Sequence, residues 1–112
     1  MKILKISPGE HPKTIEIDDS LESMQAVVGG CIQPIYPFDE PVALVCHEEG
    51  KLIDLPANRI LIDEDGNILD IICGTFFLCA APPDEENFAG LSDEQIEKFA
   101  NMFRDSVVVL QE

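Results

Sequence analysis

Basic residues are scarce in this chain. Seven lysines and arginines face 22 acidic residues, giving a formal net charge of −15 over 112 residues. The imbalance grows along the chain: from Asp63 onward, twelve acids accompany only Lys98 and Arg104. Affinity for nucleic acid phosphates comes from Lys and Arg displacing counterions, so direct nucleic acid binding is disfavoured. Anionic membrane surfaces are disfavoured for the same reason. A positively charged protein partner is electrostatically permitted, although an acidic surface also serves plain solubility. Also missing is any run of about 18 apolar residues, so no transmembrane helix is expected. The opening MKILKISPGEHPK has no continuous apolar stretch and no small-residue cleavage site, so it does not read as a signal peptide. A cytoplasmic protein is the expectation.

Catalytic and ligand motifs are absent as well. There is no G-x-x-x-x-G-K-[ST], no G-x-G-x-x-G, no G-x-S-x-G and no H-E-x-x-H. The four cysteines, Cys31, Cys46, Cys73 and Cys79, form no C-x-x-C pair. Reduced, mostly buried thiols acting as small hydrophobes are expected. Zinc needs four converging ligands, and the only histidines are His11 and His47. Cys46 and His47 are neighbours, but adjacent strand residues point to opposite faces. No catalytic residue, no cofactor and no metal site is therefore expected.

What is present is enough apolar content to fold. Apolar residues make up 46% of the chain. A single domain over residues 1–112 can bury roughly 65% of its unfolded surface without staples. Lys2 to Ile6 alternates polar and apolar, as does Thr14 to Ile17, and SPGEHP between them reads as a turn. These runs predict a hairpin. Asp19 or Ser20 then caps a helix, with Glu22 placed to answer Asp19. Leu21, Met24, Val27 and Val28 fall at helical spacing, and Gly29-Gly30 ends the run. Cys31 to Tyr36 reads as an edge or bulged strand because Pro34 interrupts it. Val42 to Cys46 is a strong strand. Lys51 to Leu55 is expected to return beside it as a hairpin around Glu48-Glu49-Gly50. Pro56 to Arg59 reads as a loop and Ile60 to Ile62 as a short strand.

The stretch DEDGNILDIICGTFFLCAAPPDEE, Asp63 to Glu86, carries acids at both ends and two cysteines between. A calcium loop needs glycine at the sixth place and Glu at the twelfth; counted from Asp63, glycine comes fourth and Gly74 twelfth. Asp65-Gly66 is a turn signal instead. Ile68 to Ala81 reads as a buried core strand with a bulge or bend at Gly74. Without a bulge, Cys73 and Cys79 would lie on one face about 20 Å apart. Near the C-terminus, Ser92 is an N-cap with Gln95 as its capping-box partner, and Leu91 and Ile96 form a hydrophobic staple. Ile96, Phe99, Ala100 and Phe103 give that helix an apolar stripe. Ser106 to Leu110 is read as a last strand. The fold expected is a small α+β domain: a mainly antiparallel twisted sheet with two helices, about 19–29 and 92–103, packed on it.

Several segments together, KILKISPG, EIDDSLESMQAVVGG, LVCHEEGKLIDLPANRIL, DGNILDIICGTFFL and LSDEQIEKF, resemble domain-of-unknown-function family 3846 over about residues 1–104. The resemblance implies a small α+β domain and residence on bacterial mobile elements or phages. It implies no activity and transfers no catalytic residue. The favoured reading is a small acidic non-enzymatic interaction or accessory protein. Its candidate surface is a rim carrying Glu48, Glu49, Asn58 and Arg59. Arg59, one of only two arginines, is expected to pair with a nearby acid rather than to bind an anion. An acidic mimic of nucleic acid phosphates in an anti-defence or regulatory role is one alternative. A small-ligand binder or enzyme with a pocket holding Cys31, Arg59 or His47 is another. A dimer through the edge near Pro34 or through the final apolar segment stays open.

Overall fold

A computed structural model describes residues 1–110 of the chain. The α+β class is as expected, with strands that are antiparallel in all pairings but one. They divide between two sheets. The first sheet contains β1 (Lys2–Ile6), β2 (Lys13–Glu16), β3 (Ile32–Ile35), β4 (Val42–His47) and β7 (Phe76–Ala80), in the order β2-β1-β7-β4-β3. The second contains β5 (Ala57–Ile62), β6 (Ile68–Cys73) and β8 (Val107–Val109), in the order β6-β5-β8. The helices are α1 (Leu21–Val28) and α2 (Asp93–Met102).

Strand β7 sits at the centre of the first sheet because it carries no polar side chain. All five of its residues are buried. Their alternation feeds two cores. Phe77 and Cys79 join Ile3, Ala43, Val45, Met24 and Val28 beneath α1. Phe76, Leu78 and Ala80 point the other way, to Leu61, Ile72 and Val108 of the second sheet and to Phe99 and Phe103 at α2. Phe38, Phe76, Phe99 and Phe103 pack edge to face there, with ring centroids 4.9 to 6.0 Å apart. The first sheet is thus covered on both faces, and the second sheet serves as one of its covers.

The local signals at the helix ends act as the sequence predicts. Of the two candidate caps for α1, Ser20 is the one used: its Oγ accepts from the Ser23 amide. Gly29 closes α1 at φ 83°, a left-handed conformation that costs a side-chain-bearing residue more. At α2 both halves of the capping box form, Ser92 Oγ with the Gln95 amide and Gln95 Oε1 with the Ser92 amide. The hairpin of β1 and β2 and the C-terminal strand β8 also form, the latter parallel to β5.

Three expectations need correction. Lys51 to Leu55 does not return as a strand; Lys51 to Asp54 is an exposed turn closed by the Ile53 amide on the Glu49 carbonyl and the Leu55 amide on the Gly50 carbonyl. Both edges of β4 are already taken, by β3 and by β7, so no partner position is left. Asn58 and Arg59 lie within β5, not in a loop before it, at an irregularity in its pairing with β6. The run Ile68 to Ala81 is not one bent strand. Gly74, at φ 80°, breaks it into β6 and β7 in different sheets, so Cys73 and Cys79 share no strand.

Candidate functional site

Asn58 and Arg59 do not line an exposed rim. Both are buried, at 5% and 3% exposure. The Asn58 side-chain amide donates to the carbonyls of Ile6 (2.9 Å) and Gly74 (2.8 Å), and its oxygen accepts from Arg59 at 2.7 Å. Arg59 Nε donates to the Phe103 carbonyl at 3.0 Å, and its other terminal nitrogen donates to the Glu10 carbonyl at 2.7 Å. The two side chains therefore tie the end of β1, the β1–β2 turn, the β6–β7 corner and the end of α2 to one point in β5.

Among the described residues no carboxylate forms a salt bridge with Arg59, contrary to the expected internal acid pair. Its partners are carbonyl and amide oxygens instead. Burial pulls the guanidinium below its ordinary pKa, and the charge of Asp105 acts against that pull. The Phe103 carbonyl lies at the C-terminal, negative end of α2, which suits a cation. Among the described residues no buried side-chain nitrogen or oxygen is left without a partner, so this buried polar pair is structurally complete.

Glu48 and Glu49 are exposed on the turn that follows β4. The Glu48 amide donates to the Cys31 carbonyl at 2.9 Å, and the Glu49 amide donates to His47 Nδ1 at 3.0 Å. Lys51, the next charged residue, bonds Asp70 on β6 at 2.6 Å. This turn is thereby fastened to the free edge of the second sheet. The Asp70 carboxylate also accepts from its neighbour's amide, Ile71 N–H, at 2.8 Å. A charged side chain that occupies edge amides blunts strand addition there.

Behind that ion pair, between the two sheets, lies a cleft of about 380 Å³ lined by Gln33, Cys46, Glu48, Lys51, Asp70 and Cys73. Its size is in the range of small-ligand pockets, but its chemistry is quiet. Cys46 Sγ donates to the Gln33 carbonyl. Burial first, and then the Asp70 charge, push the Cys46 thiol up, so it stays protonated and weakly nucleophilic. Lys51 is held charged by its bond to Asp70. Of the four cysteines two are buried, Cys46 and Cys79, while Cys73 is half-buried and Cys31 exposed.

The loop Asp63 to Asn67 closes on itself. Both Asp63 carboxylate oxygens are used, one by the amides of Asp65 and Asn67 and the other by the Asn67 side chain. These bonds, led by those from Asn67, draw the Asp63 carboxyl below its usual range. Among the described residues no three His, Cys, Asp or Glu side chains gather to hold a metal ion. No described helix is long and apolar enough to cross a membrane.

The surface that stands out is the outer face of the second sheet, of which the sequence points only to the final apolar segment. Register places Ile71, Ile60 and Val107 side by side across β6, β5 and β8. Ile68, Ile62 and Val109 form a second row. Leu61, Ile72 and Val108, the alternate residues, fill the core. None of the six outer side chains belongs to or packs against either buried cluster. Ile68 is 62% exposed, and Val107 and Val109 are about half exposed. The available signal was that β5 and β8 are apolar at successive positions, a pattern of strands buried on both faces.

The family model described as Domain of unknown function (DUF3846) matches residues 1–104. No curated protein and no solved structure matches the chain. With 104 of its 112 residues covered by that model, the chain belongs to the DUF3846 family of domains of unknown function.

Proposed function

We propose that this protein is a small non-enzymatic interaction module that docks a protein partner on the outer face of its second sheet. One observation carries the reading: in the two rows Ile71-Ile60-Val107 and Ile68-Ile62-Val109, Ile68, Val107 and Val109 are about half exposed or more, and none of the six packs against either core cluster. Contiguous exposed apolar surface of a few hundred Å² marks interaction sites on proteins of this size. The reading extends to a cytoplasmic accessory role on a bacterial mobile element or phage, the setting that the family resemblance suggests. The acidic turn of Glu48 and Glu49 lies beside the β6 edge, where Lys51 is bonded to Asp70.

The energetics favour a partner held by more than apolar contact. Covering the exposed half of Ile68, Val107 and Val109 contributes about 1 kcal/mol each, and the half-buried Ile60, Ile62 and Ile71 add less. Association itself costs roughly 4–15 kcal/mol. The aliphatic face alone is therefore marginal, and polar or charged contacts at its rim are required.

Affinity capture with the tagged chain from its native host lysate tests the reading. The expected result is a partner retained by the wild type and lost by an Ile62→Lys variant of unchanged thermal stability. Capture of the same proteins by both would overturn it.

A further inference from the structure

Resting on that reading, we infer the chemistry of the occupant: a protein segment with a short aliphatic stretch flanked by lysines or arginines, and not a second copy of this chain. The six central side chains carry no charge, so the sign of the partner is set at the rim. Asp63, Glu64 and Asp65 stand on the turn between β5 and β6, at one end of the face. Asp105 stands just before β8, near the start of β5, with Arg104 beside it. Asp70 lies on the β6 edge, neutralised by Lys51. These rim groups comprise five carboxylates and two cations, and one of the cations is already spent on Asp70. The excess at each end of the apolar rows is negative or neutral, and the whole chain carries −15.

A second copy fits this face poorly. An isologous pairing brings the same patch against itself and so sets acidic rim against acidic rim. With only Ile68, Val107 and Val109 about half exposed or more, the apolar patch falls well short of the ~800 Å² per partner that a stable pairing of folded proteins buries. The remainder has to come from the rim, where like charges repel and opposite charges attract. Only a basic-flanked partner gains on both counts. Its association is steered by charge and weakened by salt.

Two synthetic peptides added to the full chain, labelled at its Ile and Val methyls, test the inference by NMR. Both have the same central Val/Ile/Ser stretch; one is flanked at each end by two lysines and the other by two glutamates. The lysine-flanked peptide is expected to shift the methyls of Ile60, Ile62, Ile71, Val107 and Val109, at least tenfold more tightly than its glutamate twin. Raising salt from about 50 to 300 mM is expected to weaken it several-fold. The double variant Glu64→Lys/Asp65→Lys, which leaves the aliphatic rows intact, is expected to narrow the gap between the peptides. Equal binding of the two peptides at these methyls would overturn the charged-partner inference and leave the docking face standing. No shift with either peptide, or shifts confined to other methyls, would overturn it too. So would a concentration-dependent dimer in sedimentation that Ile62→Lys dissolves. The docking reading itself stands or falls separately, on the capture comparison with Ile62→Lys.

Discussion

The two sheets are made from similar strands and end in different situations. In the first, β7 is apolar throughout and lies between β1 and β4, with α1 on one face and the second sheet and α2 on the other. In the second, the Ile60-Leu61-Ile62 run of β5, which follows the polar pair Asn58 and Arg59, is as apolar, yet of these three only Leu61 belongs to a core. An all-apolar strand therefore reports that its surroundings are apolar-tolerant, and does not say whether the chain itself supplies both covers. Where it supplies only one, the second face is left for something else.

Paired substitutions on the two sheets test this contrast most directly. Phe77→Ala removes a fully buried ring of β7 and is expected to cost about 3–5 kcal/mol in urea unfolding. Ile68→Ala, at a 62% exposed position on the outer face of β6, is expected to cost under about 1 kcal/mol. Comparable costs would mean that the outer face is as well packed as the core, and the contrast would fail.

Next in size is Arg59→Ala. It leaves the Phe103 and Glu10 carbonyls and the Asn58 oxygen without their donor. Each buried group so orphaned costs about 1–3 kcal/mol, so a loss of roughly 3 kcal/mol or more is expected. Arg59→Lys should recover only part of this, because an ammonium cannot span the same fork of acceptors. Full recovery by lysine in the same unfolding assay would show that only charge matters at this position.

Gly74→Ala probes the corner that sends the chain from one sheet to the other. At φ 80° an L side chain is strained by roughly 1–2 kcal/mol. A Cβ there would also lie 2.7 Å from Leu55 Cδ1, which must move aside. A melting temperature unchanged by this substitution would show that the corner relaxes freely.

The remaining effect expected is one of pH. Burial pushes the Cys79 thiol up to about 12 from 9.0. The unfolded chain then ionises first as pH rises, so the contribution is complete below about pH 9 and is lost between pH 9 and 12. Cys79→Ala is expected to lower stability at pH 7 by leaving a small cavity, and to flatten the decline of stability with pH over that window. An unaltered slope would assign the decline to other groups, such as Cys46 and Lys51, whose raised values act in the same direction.

Much of the local structure was legible in the chain. Ser92 with Gln95, Gly29 after Val28, and the alternation on either side of SPGEHP act within a few residues, so short-range chemistry decides them. Reading failed where a decision depended on distant partners. Leu52, Ile53 and Leu55 look like a returning strand, and only the occupation of both edges of β4 excludes it. Asn58 and Arg59 look like polar loop residues. They are buried because carbonyls from residues 6, 10, 74 and 103 converge on them. Glu48 and Glu49 lie on an exposed turn, whereas the partial openness of the face of β5, β6 and β8 has no local signature in the chain.

By itself the sequence determined the two helices and their caps, the β1–β2 hairpin, the α+β class and the strongly acidic balance, because caps, turns, alternation and charge are properties of neighbouring residues. Only the tertiary structure decided that Ile68 to Ala81 splits between two sheets, that Arg59 is an internal clamp, and that one face of β5, β6 and β8 stays open. Those outcomes depend on which strands compete for the same edges and which faces find a cover, and such competition is settled between residues far apart in the chain.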